Sequence, residues 1–314
     1  MTFRGITWIR PDTRFPFVRL RMLFFAFSGI LIGASFLMVA ARGLNYGIDF
    51  TGGILIEAKF PAVANVAAIR AKVDGLDLGS AEIQGFGGPE EVLIRLPRQE
   101  GDEKAQSLAV EKVKTALGPG VEYRRVETVG PKVGAELLSE SIIAVIVALG
   151  GIMVYMWFRF EWKWGFVGIV ALFHDVVSTI GIFALTGLEF NLSTVAAVLT
   201  IAGYSINDTV VILDRVRENL RKYKSMPLPE LFDRSINETL SRTINTAGTV
   251  FLAVIALYAF GGPVIRDFSF ALLWGTIIGS YSSICVALPM LLHMNIDRGA
   301  HDRHDGKETA PTAP

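Results

Sequence analysis

Asp208 and the adjacent pair His174 and Asp175 stand inside long apolar runs. A charge within a membrane-length segment costs at least about 2.5–3.5 kcal/mol on insertion scales, so such groups are candidates for function. The chemistry open to them is uptake and release of a proton or another small cation. Asp208 lies in Gly203-Tyr204-Ser205-Ile206-Asn207-Asp208-Thr209, with hydrogen-bonding groups on Asn207 and Thr209, and with Gly203 open to close approach of another backbone. The plainer reading is a carboxylate that snorkels or pairs structurally. His174 and Asp175 lie nearer the middle of their run. Neighbours on a helix diverge by about 100°, so both cannot face one partner equally well. They extend an ion path or serve structure. Arg242 opens a further apolar run on the same membrane side as Asp208. It pairs with Asp208 or anchors its helix among headgroups. A carboxylate that makes and breaks a pair with a cation loads and releases a proton, which suits Asp208 as carrier and Arg242 as its control.

These groups need membrane helices to hold them. Apolar residues make up 51% of 314, and 30 basic residues balance 30 acidic ones, so net charge suggests no nucleic-acid partner. The single cysteine, Cys285, excludes an internal disulfide, and its apolar setting reads as packing. Crossing the hydrocarbon takes about 20 mostly apolar residues. Six segments qualify: 22–41, 141–158, 164–188, 190–213, 243–265 and 268–292. Backbone polar groups must be satisfied inside the bilayer, so these should be helices. The first is too long for a signal peptide's apolar region. Residues 1–21 and 297–314 are then tails, the latter polar and expected to be disordered.

Lys and Arg set the orientation. They crowd the N-terminal tail (Arg4, Arg10, Arg14, Arg19, Arg21), the second-to-third loop (Arg159, Lys163), the fourth-to-fifth loop (Arg215 to Lys224, Arg234) and the C-terminal tail (Arg298, Arg303, Lys307). Both termini are therefore expected in the cytoplasm, with 42–140 outside. The stretch Leu228 to Leu240 is amphipathic and is expected along the cytoplasmic surface. Gly275 and Gly279 form a GxxxG pattern beside a serine-rich stretch, which reads as helix packing. The small-residue faces of the fourth and sixth spans are the expected contact for a partner.

Residues 42–140 alternate strand and helix. Ile54, Ile56, Ala58 and Phe60 share one strand face, with Glu57 and Lys59 on the other. Val66, Ile69, Val73 and Leu76 follow helix spacing. Strands at 81–86 and 92–96 flank a Gly87-Gly88-Pro89 turn, a second helix runs over 105–117, and a last strand over 121–128. The order β-α-β-β-α-β is ferredoxin-like, an α+β domain. It carries no nucleotide or metal motif, and reads as a docking module. No cofactor is expected.

Several strings, in order, resemble the SecF family, subunits of the bacterial SecDF protein-translocation complex. They are Gly47-Ile48-Asp49-Phe50-Thr51-Gly52-Gly53, Val129-Gly130-Pro131-Lys132-Val133-Gly134, the Gly203 to Val211 run continuing to Asn219, Ser241-Arg242-Thr243, and Gly261 to Ser269. The resemblance implies a six-span half of the RND type in the inner membrane. It implies SecD and the SecYEG channel as partners, a translocating preprotein as client, and proton-motive force as the drive. No enzyme activity follows. The competing reading is an RND-type half-transporter of lipids or small amphiphiles, for which an outer domain of this size is small. A passive scaffold is the third.

Overall fold

A computed structural model of the chain describes residues 13–101, 103–262 and 265–294. Expectations for Arg4, Arg10 and the tail at 297–314 fall outside the described residues. In chain order the elements are α1 (Arg21–Arg42), β1 (Asn45–Tyr46), α2 (Ile48–Thr51), β2 (Gly53–Lys59), α3 (Val66–Asp74), β3 (Glu82–Phe86), β4 (Gly88–Leu96), α4 (Glu103–Leu117) and β5 (Glu122–Val129). Then follow α5 (Pro131–Arg159), α6 (Trp162–Thr186), β6 (Glu189–Phe190), α7 (Leu192–Lys222), α8 (Leu228–Phe260) and α9 (Arg266–Ser282). A π-helical segment (Ser283–Ala287) and α10 (Leu288–Leu292) close the series.

Among the described residues six helices are long and apolar enough to cross a membrane: α1, α5, α6, α7, α8 and the composite run from α9 to α10. Three of them run well past the apolar segments that mark them, α5 and α8 at their starts and α7 at its end, because a helix can continue outside hydrocarbon. Helix α5 starts at Pro131, whose missing N–H costs nothing in the first turn. Helix α7 starts at a capping box in which Asn191 Oδ1 accepts from Thr194 N–H at 2.9 Å.

Two expectations change. The amphipathic stretch Leu228 to Leu240 is no separate surface helix; it is the first part of α8 and runs unbroken into the fifth span. Its apolar side, Leu231, Phe232 and Ile236, is fully buried against the bundle, which holds it upright. The sixth span is not one regular helix. Pro289 has no N–H for the carbonyl one turn earlier, and the wider π turns just before it absorb that defect.

The bundle has an inner set, α6, α7 and the α9–α10 run, whose side chains are largely buried. Helices α1, α5 and α8 lie outside them and expose large apolar side chains such as Ile30, Phe158, Leu252 and Phe260, as lipid contact requires.

Between α1 and α5 sits the sheet domain. Its strand order is β3-β4-β2-β5, all antiparallel, the ferredoxin-like arrangement. Ile54, Ile56, Ile83, Val92, Ile94 and Leu96 pack on α3 and α4. Strand alternation leaves the opposite face for solvent, yet Leu55, Glu57, Leu93 and Arg95 there are also buried. Ile48 of α2 packs on Leu55 and Leu93, so the second face of the sheet rests on the end of the bundle.

Candidate functional site

Asp175 is fully buried in α6. Its Oδ2 accepts hydrogen bonds from Ser205 Oγ of α7 and from Ser282 Oγ at the end of α9, the latter at 2.8 Å. Its Oδ1 lies 3.0 Å from His174 Nδ1. One carboxylate thus joins the three inner spans. Its main-chain carbonyl also accepts from Ser178 and Thr179. The two adjacent side chains diverge as helix geometry demands. Asp175 turns to the serines, while the His174 ring lies 6.0 Å from that of Tyr281, with Nε2 buried and without a hydrogen-bond partner among the described residues. Hydroxyls are the donors a buried carboxylate needs, since an unpaired one is costly.

Asp208 lies one turn beyond Ser205 on α7, about 4.5 Å further along the axis. It is 3% exposed, and its Oδ2 is buried with no hydrogen-bond partner among the described residues. Its neighbours divide. Thr209 faces inward, its Oγ1 2.8 Å from Ser283 Oγ of the π segment. Ser283 Oγ also lies 2.9 Å from Gly279 O and 3.4 Å from Ser205 O, and either hydroxyl of the Thr209–Ser283 pair can be the donor between them. Asn207 faces outward and is exposed. Arg242 is exposed on α8; no hydrogen bond or ion pair among the described residues joins it to Asp208, although its charge acts on the carboxylate at longer range.

Gly275 and Gly279 pack within the chain, Gly275 against Ile201 and Gly279 against Ser205 of α7. The sixth span's small-residue face is therefore closed to a partner, which corrects the expectation for it. The fourth span keeps a second, open face. Ala196, Thr200, Gly203 and Asn207 are exposed along it, and a Cβ added at Gly203 would meet no atom of the described residues within 4 Å. On the neighbouring α8, Arg242, Asn245 and Thr249 are exposed too.

The Gly47 to Gly53 string forms the seam between sheet domain and bundle. Strand β1 pairs in parallel with β6, and Gly47 N–H donates to Phe190 O at 3.0 Å. Asp49 Oδ2 accepts from Leu192 N–H at 3.0 Å, capping the first turn of α7. Phe50 is buried beside Phe190. Gly52 and Gly53 have φ of 70° and 129°, and a Cβ on Gly53 would stand 2.6 Å from Leu96 O, so the chain turns from α2 into β2 only with glycine there. Above this seam Arg95 of β4 pairs with Glu189 of β6 and, at 3.4 Å, with Glu82. Burial raises the Glu189 carboxyl above its ordinary value, and Arg95 works against that rise.

Residues 109–297 match the model of "Protein export membrane protein SecD/SecF, C-terminal", and residues 38–60 match the SecD/SecF GG motif. The chain belongs to the SecD/SecF family. It is 46% identical to protein translocase subunit SecF of Cereibacter sphaeroides over 88% of each chain. It is 45% identical to the SecF subunit of Magnetococcus marinus, over 96% of this chain and 98% of that one. The crystal structure of SecDF from Thermus thermophilus superposes with a TM-score of 0.82 at 37% identity, covering 91% of this chain and 39% of that one. Protein translocase subunit SecDF of Brucella abortus is 43% identical over 96% of this chain and 40% of its own. The chain thus has the length of SecF relatives and spans about two fifths of SecDF chains.

Within the SecD/SecF framework the sequence missed four groups. Ser205 was visible only as part of a string, and Ser282, Ser283 and Tyr281 only as part of a small-residue stretch read as packing. The spacing of Ser282 and Ser283 just before Pro289, on a helix presumed regular, held the one available signal.

Proposed function

We propose that this SecD/SecF family member is an accessory subunit of the Sec preprotein translocase that uses proton-motive force to promote export across the bacterial inner membrane. The observation that carries the reading is Asp208, a buried carboxylate with an oxygen unpartnered among the described residues, one turn from the Asp175 cluster and beside the open face of α7. Proton binding at Asp208, with Arg242 approaching and withdrawing, gives two states. One charge crossing the potential supplies about 2.3 kcal/mol per 100 mV. That biases such an equilibrium roughly fifty-fold. His174 and Asp175 extend the path from Asp208 towards mid-span, and no enzyme chemistry is involved.

Polar groups on the open face, Thr200, Asn207, Arg242 and Asn245, belong against protein and not lipid. The partner that fits is the other six-span half, SecD, and the two work beside the SecYEG channel on a translocating preprotein. The termini are cytoplasmic and 42–140 external. An exporter of lipids needs a substrate space in its outer domain. Here both faces of the sheet are covered, by α3 and α4 on one side and the bundle end on the other, which favours protein export.

Asp208→Asn keeps the shape and removes the titrating proton. In proteoliposomes holding the SecD partner and the channel, it should abolish export driven by an imposed pH gradient while leaving assembly intact. Export at the wild-type rate would refute the assignment.

A further inference from the structure

The sheet domain and the helix carrying Asp208 are distant in sequence. Between β4 and α7 lie α4, β5, α5 and α6, and movement along that path could be lost at every loop. A direct contact is therefore needed if the domain is to feel the site. Arg95 provides one. It projects from the bundle-facing side of β4, cross-strand from Leu55 and Glu82. It reaches Glu189 in β6, three residues before the first residue of α7. Both side chains are largely buried, at 10% and 15% exposure. Asp49 caps the same helix end, through Leu192 N–H. From Leu192 to Asp208 the helix is continuous, a rod of about 24 Å.

We propose that the Arg95–Glu189 pair, with the Asp49 cap, makes the sheet domain and the fourth span one moving unit, so that displacement of the helix bearing Asp208 is delivered to the domain. The inference rests on Asp208 as the coupling group. Arg95 and Glu189 are positioning residues that touch neither ion nor client. Their surroundings favour transmission over mere cohesion. One guanidinium serves Glu82 and Glu189 and keeps a buried Nε with no partner among the described residues, while Asp49 and Asp267 also act on Glu189. A buried pair in so carboxylate-rich a setting adds little net stability, yet removing either partner strands the other. It is suited to holding two bodies in register.

The test uses the full chain with its SecD partner and the channel in liposomes, in a Cys285→Ser background with spin labels at Lys112→Cys and Ser193→Cys. Both positions are exposed, one on α4 and one at the start of α7. Arg95→Glu and Glu189→Arg should each lower gradient-driven export at least about ten-fold, and the double reversal should recover to within about three-fold. Recovery is expected because the reversed guanidinium gains Asp49 and Asp267, although the reversed carboxylate stands near Glu82. The label-to-label distance distribution should be narrow in the wild type and the double reversal, and broad in either single variant. Wild-type export by the single variants, with export lost in Asp208→Asn, overturns the coupling unit and leaves the coupling site standing. Loss of export that the reversal does not restore, with narrow distributions throughout, reduces the pair to a structural contact and also overturns it. Wild-type export by Asp208→Asn removes the site, and the unit with it.

Discussion

Ser282 Oγ donates to Asp175 Oδ2 at 2.8 Å and so ties the sixth membrane helix to the third across 107 residues. The sixth helix widens into π turns directly after Ser282, and Ser282 and Ser283 face different neighbours there, one α6 and one α7. A π segment at a functional cluster is a recurring arrangement.

Ser282→Ala should destabilise the chain by about 1–3 kcal/mol, the cost of leaving a buried acceptor short of a donor. Ser205→Ala should act alike, and the double variant should lose more than the sum, since each hydroxyl alone still serves the shared oxygen and only the double variant leaves it bare. Thermal unfolding in detergent, followed as a double-mutant cycle, checks this; strict additivity would contradict a shared acceptor.

Gly275 and Gly203 should respond in opposite ways. A Cβ at Gly275 collides with Ile201, so Gly275→Val should cost about 1–3 kcal/mol by overpacking. Gly203 faces open space, so Gly203→Leu should leave the isolated chain as stable as the wild type and weaken co-purification with the SecD partner. Equal loss of stability in the two variants would show that the outer face of α7 is not free.

The pH response of Glu189 has a definite sign. Its folded carboxyl is raised above 4.5, chiefly by burial, so the folded chain holds this proton to higher pH than the unfolded one. Its contribution is fully present below 4.5 and is lost as pH rises through the raised value. The stability of wild type relative to Glu189→Gln should therefore decline from pH 4.5 upward. Melting temperatures of both proteins across that range measure it; a rising difference would mean that Arg95 outweighs burial.

Orientation is testable with single cysteines in a Cys285→Ser background. Glu100, exposed on the sheet domain, is the external probe. An impermeant maleimide applied to spheroplasts should label Glu100→Cys and spare Ser225→Cys. The reverse pattern would invert the topology.

The sequence by itself was enough for the six spans, the ferredoxin-like order and the buried carboxylates, because hydropathy, strand alternation and a charge in an apolar run are local signals. Asp208, Asp175 and His174 stood out for the same reason. What surrounds them was decided by packing. Ser205 and Ser282 are ordinary residues of small-residue helices until they meet Asp175, from 30 and 107 residues away. Two similar small-residue faces on the fourth span have opposite fates, one closed by Gly275 and Gly279, the other open. Arg95 reads as a charge on an alternating strand and becomes a buried link to Glu189, 94 residues on. A polar side chain enters an apolar interior only where another element supplies its partner, and which element arrives there is a property of the assembled bundle, not of any one segment.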